Sequence, residues 1–399
     1  MNNTVLDIES KCTACRACEQ ICPYKAIRMQ ENDEGFLYPI IDEEKCVNCG
    51  LCKNNCHINT ELKLNGDIEI YAIKPIERKI AKESTSGGFA QIISNKFIKE
   101  NGYVYGACYD NDFYVSHVGV NNVKDLQQLK GSKYVISDTK KTYKEVKEKL
   151  DDNQKVLYIG TACQISGLKN FLGKDYENLL TVDIVCHGVP SNKLFQKYIK
   201  YLENKYKSKI VKYDFRNKEK RPWGLGFCAK VTFDSGKIKY IEADFDKYYT
   251  NFLEGNIYRE SCYQCKYANI NNRVADFTIA DSWGIEKFKP DFYDENGVSL
   301  VIINSNKGRK NFELMKADIE KVELNLNEAT AYNYNLLHPT NRPLIRNHIY
   351  KQINEIETNR YISENLIVKR NIKKIIKILI PNEIKLFLKK NMGEKNETN

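Results

Sequence analysis

Eight cysteines within the first 56 residues constrain this chain more than any other feature. They run Cys12-Thr-Ala-Cys15-Arg-Ala-Cys18-Glu-Gln-Ile-Cys22-Pro23, then Cys46-Val-Asn-Cys49-Gly-Leu-Cys52-Lys-Asn-Asn-Cys56-His57. Each run has the C-x2-C-x2-C-x3-C spacing of iron–sulfur ligation, in which the fourth cysteine of one run serves the other cluster. Three closely spaced thiolates wrap one cubane from a single tight loop, and the fourth starts a helix that leads away. The expected 4Fe-4S ligand sets are therefore Cys12, Cys15, Cys18 and Cys56, and Cys22, Cys46, Cys49 and Cys52. Zinc is the alternative, but a four-thiolate zinc site needs only two pairs. One departure from the repeat is visible: His57 stands where Pro23 follows the first run. That position turns the chain and supplies no ligand, so little loss is expected.

The length predicts two or three domains of about 100–200 residues each. The first residues carry neither a basic end nor an apolar run, so no export signal is expected. No stretch approaches the roughly 18 apolar residues of a spanning helix. Without export, fourteen cysteines argue for metal or redox use in a reducing cytoplasm rather than for disulfides. The net charge of +10 is uneven: residues 1–60 balance at −3, whereas residues 369–390 hold eight Lys/Arg against one Glu. The basic excess sits in one terminal segment without a nucleic-acid motif, which argues against a nucleic-acid partner.

Between the two runs, Ala26–Met29 and Tyr38–Ile41 read as short strands around the turn Glu31–Gly35. The polar stretch Asn59–Asp67 reads as a linker. Glu83-Ser84-Thr85-Ser86-Gly87-Gly88 precedes an amphipathic helix from Phe89 to Lys99. Its hydroxyls and glycines suit either phosphate at a helix start or an ordinary N-cap. A hairpin over Tyr103–Tyr109 and Phe113–Val120 follows, with Cys108 and Cys228 read as packing residues and His117 as a sheet histidine. Two strand–turn–helix units come next: Lys155–Ile159 into Ile165–Leu172, and Leu179–Val185 into Asn192–Lys205 with Ser191 as N-cap. Such units imply parallel strands with helical crossovers, and ligands collect at the carboxyl ends of parallel strands. Cys163, Gln164, Cys186 and His187 are expected to face that crevice. Cys262-Tyr-Gln-Cys265 is a further C-x2-C, and a metal site there needs two more ligands. Cys163 and Cys186 are the candidates, and spacing alone leaves zinc and a third 4Fe-4S cluster equally open. Residues 209–250 read as β-rich, with Arg216 and Lys218 either solvated or holding an anion. Asp276–Ala280 and Val298–Ile303 read as strands, and the chain after about 320 reads as helical and polar.

Taken together, Ser84-Thr-Ser-Gly-Gly88, Lys130-Gly-Ser-Lys-Tyr-Val135, Gly160-Thr-Ala-Cys-Gln164, Cys186-His-Gly-Val-Pro-Ser191 and Cys262 to Gly284 resemble the beta-subunit family of coenzyme F420 hydrogenases and dehydrogenases. The resemblance covers roughly residues 1–345, with the ferredoxin module fused at the front. Ala162 and Ala280 stand where that family usually has Pro and Gly, changes that touch backbone shape more than ligands. The resemblance implies FAD, with Ser84, Thr85, Ser86, Gly87, Gly88, Lys133, Tyr134 and His187 as cofactor contacts. It favours a third cluster on Cys163, Cys186, Cys262 and Cys265 over zinc. It also implies redox exchange between ferredoxin or another redox protein and a small organic substrate, a deazaflavin or another. The family's members reduce varied substrates, so coenzyme F420 itself stays open. The alternatives are an electron-transfer subunit without its own substrate and a non-catalytic cluster-based sensor.

The expected architecture is an α+β two-cluster ferredoxin module (1–62), an α/β flavin and iron–sulfur domain (63–345) and a helical basic tail (346–399). In the tail, apolar residues recur at helical spacing between lysines from Leu366, with Pro381 as a break. Such a helix suits peripheral contact with an acidic membrane face or packing on its own domain.

Overall fold

The computed structural model describes residues 5–6, 9–61, 67–368 and 380–387. The chain begins with a small hairpin, β1 (Ile27–Glu31) and β2 (Leu37–Ile41), paired antiparallel with Ile27 opposite Ile41. The cysteine loops flank it and run into short helices at Ala17–Ile21 and Leu51–Asn54. After the linker come β3 (Glu69–Pro75), β4 (Tyr103–Tyr109), β5 (Val115–Val120), β6 (Val156–Thr161) and β7 (Leu179–Ile184). A three-stranded antiparallel insertion follows, β8 (Ile210–Asp214), β9 (Cys228–Phe233) and β10 (Ile238–Glu242), and then β11 (Phe277–Asp281), β12 (Ser299–Ile303) and β13 (Ile319–Glu323).

The large sheet has the order β13-β3-β12-β11-β7-β6-β4-β5. Its centre, β11-β7-β6-β4, is parallel, as the strand–turn–helix units require, and its flanks are antiparallel. Period-two alternation sends β6 side chains to both faces. Leu157 packs with Phe89, Ile93 and Phe97 of the helix Phe89–Lys99. Val156 and Tyr158 pack with the helices Thr142–Asp151 and Ala162–Leu172 on the other side. Burial on both faces explains the apolar run of β12, all five residues of which are buried. Cys108, Cys228 and His117 are buried as expected, and His117 stacks on Tyr158 with ring centroids 5.2 Å apart.

Two expectations are corrected. Residues 319–323 form an edge strand rather than helix, and within the stretch 209–250 that reads as β-rich, Trp223–Phe227 is a loop leading into β9. Beyond β13 the chain is helical in short pieces. The helix Thr358–Asn365 packs on Asn192–Tyr206, with Tyr361 fully buried. Residues 369–379 and 388–399 of the basic tail lie outside the described residues, whereas 382–387 is helical after Pro381. No described helix is long and apolar enough to cross a membrane.

The ferredoxin-type segment does not stand apart. Phe36, Tyr38, Cys12, Cys18 and Cys56 share one hydrophobic cluster with Phe195, Tyr213 and Tyr258. Three arginines tie the segment down. Arg16 forms a two-pronged pair with Asp138, one arm at 2.9 Å. Fully buried Arg259 donates to the carbonyls of Cys12 (2.6 Å) and Leu37 (2.9 Å). Arg346 grips Glu34 with two bonds of 2.6 Å.

Candidate redox site

The two cysteine loops are conformational copies. Left-handed backbone at Ala14 (φ 56°) and Arg16 (φ 61°) recurs at Asn48 (φ 54°) and Gly50 (φ 74°), at the same offsets from the first cysteine. Alternating right- and left-handed residues turn successive N–H groups into one concavity, a shape suited to an anionic group. Glycine fills the second position at no steric cost, whereas a side chain there costs roughly 1–2 kcal/mol. Arg16 bears that cost and is held by Asp138 and by Glu19 at 2.6 Å.

The thiols of the two runs act on one another. Cys18 lies in the electrostatic field of Cys15, Cys12 and Cys56, and Cys52 in that of Cys22 and Cys46; burial is the main cause that raises both thiols. Cys12, Cys15, Cys18 and Cys56 are buried, Cys22, Cys46 and Cys52 are half-buried, and Cys49 is exposed. One set therefore faces inward and the other reaches the surface.

The other four cysteines come from distant segments. Cys163 sits in the first turn of the helix after β6, and Cys186 follows the end of β7. Cys262 lies on the turn Glu260–Gln264, and Cys265 follows it. Cys262 is raised by burial and by Cys186, Cys265 and Cys163 together. Burial lifts Cys163 to about 11 and Cys186 to about 12. Gly188 makes the Cys186 turn feasible: its φ is 145°, and a Cβ there would lie 2.2 Å from the Tyr258 ring. Among the described residues no three Cys, His, Asp or Glu side chains meet as ligands of one metal ion would.

This third set adjoins the inner ferredoxin set. Cys163 is among the charges acting on Cys15. One helical turn beyond Cys163 is Gly167, where a Cβ would lie 2.9 Å from both Cβ and Sγ of Cys15. Thr139 donates to the Cys15 carbonyl at 2.9 Å.

On its other side the third set opens toward the carboxyl edge of the sheet. His187 is exposed to water although protein surrounds it on most sides, and Asp281 and Arg216 act on its charge. Arg216 pairs with Asp281 at 2.5 and 3.0 Å and lies over the rings of Phe227 and Trp283. Trp223 donates to Asp281 at 2.6 Å and stacks on Trp283, centroids 5.0 Å apart. Arg216 is thus a paired wall residue, not a solvated charge. Gln164 turns away from the crevice: it accepts from the Thr161 N–H at 3.0 Å and donates to the Ser137 carbonyl at 2.8 Å.

The Ser84–Gly88 loop lies at the same edge, against the start of β12. The N-cap reading of its hydroxyls fails, because Gly88 is the N-cap and has no side chain to offer. Ser84 donates to Gln91 (3.0 Å), Thr85 accepts from the Ser132 N–H (3.2 Å), and Ser86 donates to the Val298 carbonyl (3.3 Å). A Cβ on Gly87 would lie 2.4 Å from the Ser299 nitrogen. Lys218 donates to the carbonyls of Ala81 (2.9 Å), Ser86 (2.8 Å) and Asn296, fastening this loop. Lys133 turns its ammonium to the carbonyls of Leu129, Lys130 and Gly131, and Tyr134 stacks on Phe252 at 4.2 Å. A surface depression of about 340 Å³ lined by Glu31, Lys193, Gln196, Lys197, Ile353 and Asn354 contains no cysteine and takes no part in this site.

Sequence reading missed Arg16, Asp138 and the role of Asp281, and for Lys218 it named solvent or an anion where the structure has backbone carbonyls. Only Arg16 left a signal, as the residue that breaks the repeat opposite Gly50.

Two cysteine-rich loops joined through a third cysteine set to an α/β sheet edge define an iron–sulfur electron-transfer protein. More particularly, residues 153–328 match the carboxyl-terminal region of the coenzyme F420 hydrogenase/dehydrogenase beta-subunit family, and residues 11–60 match the 4Fe-4S dicluster domain. Among curated proteins, the coenzyme F420-dependent sulfite reductase of Methanocaldococcus jannaschii is 25% identical over 335 residues, covering 82% of this chain and 48% of that protein. The chain thus spans about half the length of that relative. A component of the F(420)H(2) dehydrogenase of Methanosarcina mazei is 20% identical over 328 residues, covering 78% of this chain and 84% of that one. Among solved structures, a chain of the F420-reducing NiFe hydrogenase complex of Methanosarcina barkeri aligns over 76% of this chain and 91% of that one, with 16% identity and a TM-score of 0.44.

Proposed function

We propose that the protein is an iron–sulfur flavoprotein oxidoreductase that passes electrons between a redox protein and a small organic substrate through three 4Fe-4S clusters and FAD. The observation that carries this reading is the grouping of twelve cysteines in three sets, the inner ferredoxin set touching the third across Cys15 and Gly167. Buried thiols crowded together resist ionisation, and a bound metal centre is what offsets that resistance. Cys12, Cys15, Cys18 and Cys56 hold one cluster, Cys22, Cys46, Cys49 and Cys52 the second, and Cys163, Cys186, Cys262 and Cys265 the third. Buried Arg273 adds positive charge beside Cys186 and Cys265.

The crevice residues suit a flavin. The helix Phe89–Lys99 starts without a side-chain cap, a favourable place for phosphate. Lys218 holds the preceding loop, and the Trp283 face and Arg216 wall the crevice beside His187. When bound, a flavin exchanges a hydride with an organic molecule and the clusters carry its two electrons singly. Exposed Cys49, with exposed Val47 and Leu51 two residues to either side and exposed Tyr24 two residues after Cys22, gives the outer set a face for a redox protein. That same face supports a second reading, a subunit that relays electrons between a partner and a deazaflavin.

Anaerobic iron quantitation tests the ligand sets. About twelve Fe per chain are expected for three 4Fe-4S clusters, whereas about eight Fe with one zinc overturns the third. Cys262→Ser should lower iron and leave the ferredoxin signal. Identification of the released chromophore tests FAD, and a colourless protein overturns it. Bleaching by reduced ferredoxin alone supports the enzyme reading, and bleaching only with a copurified partner supports the subunit reading.

A further inference from the structure

The residue that breaks the cysteine repeat, His57, is buried between the two inner cysteine sets. One ring nitrogen, Nε2, bonds Thr13 Oγ1 at 2.8 Å, in the loop between Cys12 and Cys15. The other, Nδ1, bonds the Tyr267 hydroxyl at 2.6 Å, two residues beyond Cys265. The histidine and tyrosine rings also lie together, with centroids 5.7 Å apart. Lys266, between Cys265 and Tyr267, donates to the carbonyls of His57 and Thr60 (3.3 Å for the latter). Its charge acts on both Cys56 and Cys265. Tyr267 in turn hydrogen-bonds Ser166, beside the glycine that admits Cys15.

Proline at position 57 would keep the carbonyl that Lys266 reaches but could make neither of the two ring bonds, to Thr13 and to Tyr267. Proline serves where the chain only has to turn, as after Cys22. After Cys56 the chain must also be fastened to a second loop more than 200 residues away. We infer that His57, with Tyr267 and Lys266, is a positioning residue that sets the Cys12/Cys15/Cys18/Cys56 set against the Cys163/Cys186/Cys262/Cys265 set for electron exchange between them. The joint runs Cys56–His57, hydrogen bond, Tyr267–Lys266–Cys265, so a covalent path with one polar bridge connects the two sets. The step it serves is a single-electron transfer, one centre oxidised and the other reduced, with no proton taken up by the joint. This inference rests on the reading of three clusters given above.

The test uses the full anaerobic chain, wild type against His57→Pro, Tyr267→Phe and His57→Gln. Iron per chain is read first: a wild-type value near eight defeats the three-cluster reading itself. With about twelve Fe retained in every variant, the electron paramagnetic resonance spectrum of the fully reduced protein is recorded. His57→Pro and Tyr267→Phe should lose the magnetic coupling between two centres that wild type shows, and His57→Gln should restore it. Electron transfer from an external reductant into the crevice chromophore should slow about tenfold in the first two variants, each decade being about 1.4 kcal/mol of barrier. Unchanged coupling and rate in both, with iron intact, overturn the inference. So does loss of iron from His57→Pro with coupling and rate unaffected in Tyr267→Phe, which would make the histidine a structural support only.

Discussion

Gly167 shows what one missing methyl can do. It sits inside the helix Ala162–Leu172, where glycine costs about 1 kcal/mol relative to alanine. The cost is accepted because Cys15 and the Tyr143 hydroxyl, 2.9 and 3.1 Å from any Cβ, occupy the space. Cys15 is the near end of a short side chain on a tightly bonded loop and cannot swing aside. Gly167→Ala should therefore destabilise the protein by about 1–3 kcal/mol, as overpacking does, despite the better helix propensity. Thermal unfolding of the anaerobic protein checks this, and a stabilised variant would show that the contact does not matter. Residues of this kind were not legible in the sequence. The cysteines were, because their spacing is local and each run carries its own geometry. Gly167, Arg16 and Asp138 act on partners more than a hundred positions away, and a single chain records no such pairing. His57 was visible only as a broken repeat, with no sign of what broke it.

At the level of elements, the parallel core was readable from β6 and β7, since an apolar run, a turn and a capped helix recur in order. The edge strand β13 was not, because Ile319-Glu-Lys-Val-Glu323 carries the charges that edges use against aggregation and so resembles a polar helix. The Ser84–Gly88 loop was found, but the sequence left a cap and a phosphate site both open, and the hydroxyls prove to be engaged by Gln91, Ser132 and Val298 rather than by a cap. Lys218 holds this loop from the segment after β8, and burial, helped by Arg216, brings its pKa down to about 7 from 10.5. A group with a depressed folded pKa adds stability that is full above the unfolded value and lost as pH falls through the folded one. The wild type should thus gain stability between pH 7 and 10.5 relative to Lys218→Met. Unfolding midpoints of the two proteins across that range measure the difference, and parallel curves would refute it. Hydrogen exchange at 84–88 should quicken in the variant, because methionine bonds none of the three carbonyls.

Across the whole molecule, the cysteine module and the α/β body form one packed unit rather than two tethered ones. Phe36 and Tyr38 lie in the same cluster as Phe195 and Tyr258, and Arg16, Arg259 and Arg346 cross the join. Such rigidity is what a relay needs, because electron exchange depends on fixed separation between centres and a swinging module would not preserve it. Asp138 is the most exposed point of failure in this join. It is buried, pairs with the strained Arg16 and also accepts from the Tyr114 hydroxyl at 3.1 Å and the Lys140 N–H at 2.9 Å. Asp138→Ala leaves the guanidinium with Glu19 alone, and breaking a buried pair from one side costs up to about 3–5 kcal/mol. Part of that loss is returned if Arg16 is also changed to glycine, the residue its counterpart Gly50 already is, since the backbone strain and the stranded charge go together. The wild type should unfold in one transition, Asp138→Ala should unfold earlier with the ferredoxin signal leading, and Arg16→Gly with Asp138→Ala should recover part of the midpoint. Calorimetry followed alongside cluster absorbance separates these outcomes, and a double variant no better than Asp138→Ala would show that the strain at Arg16 is not what the pair holds in check.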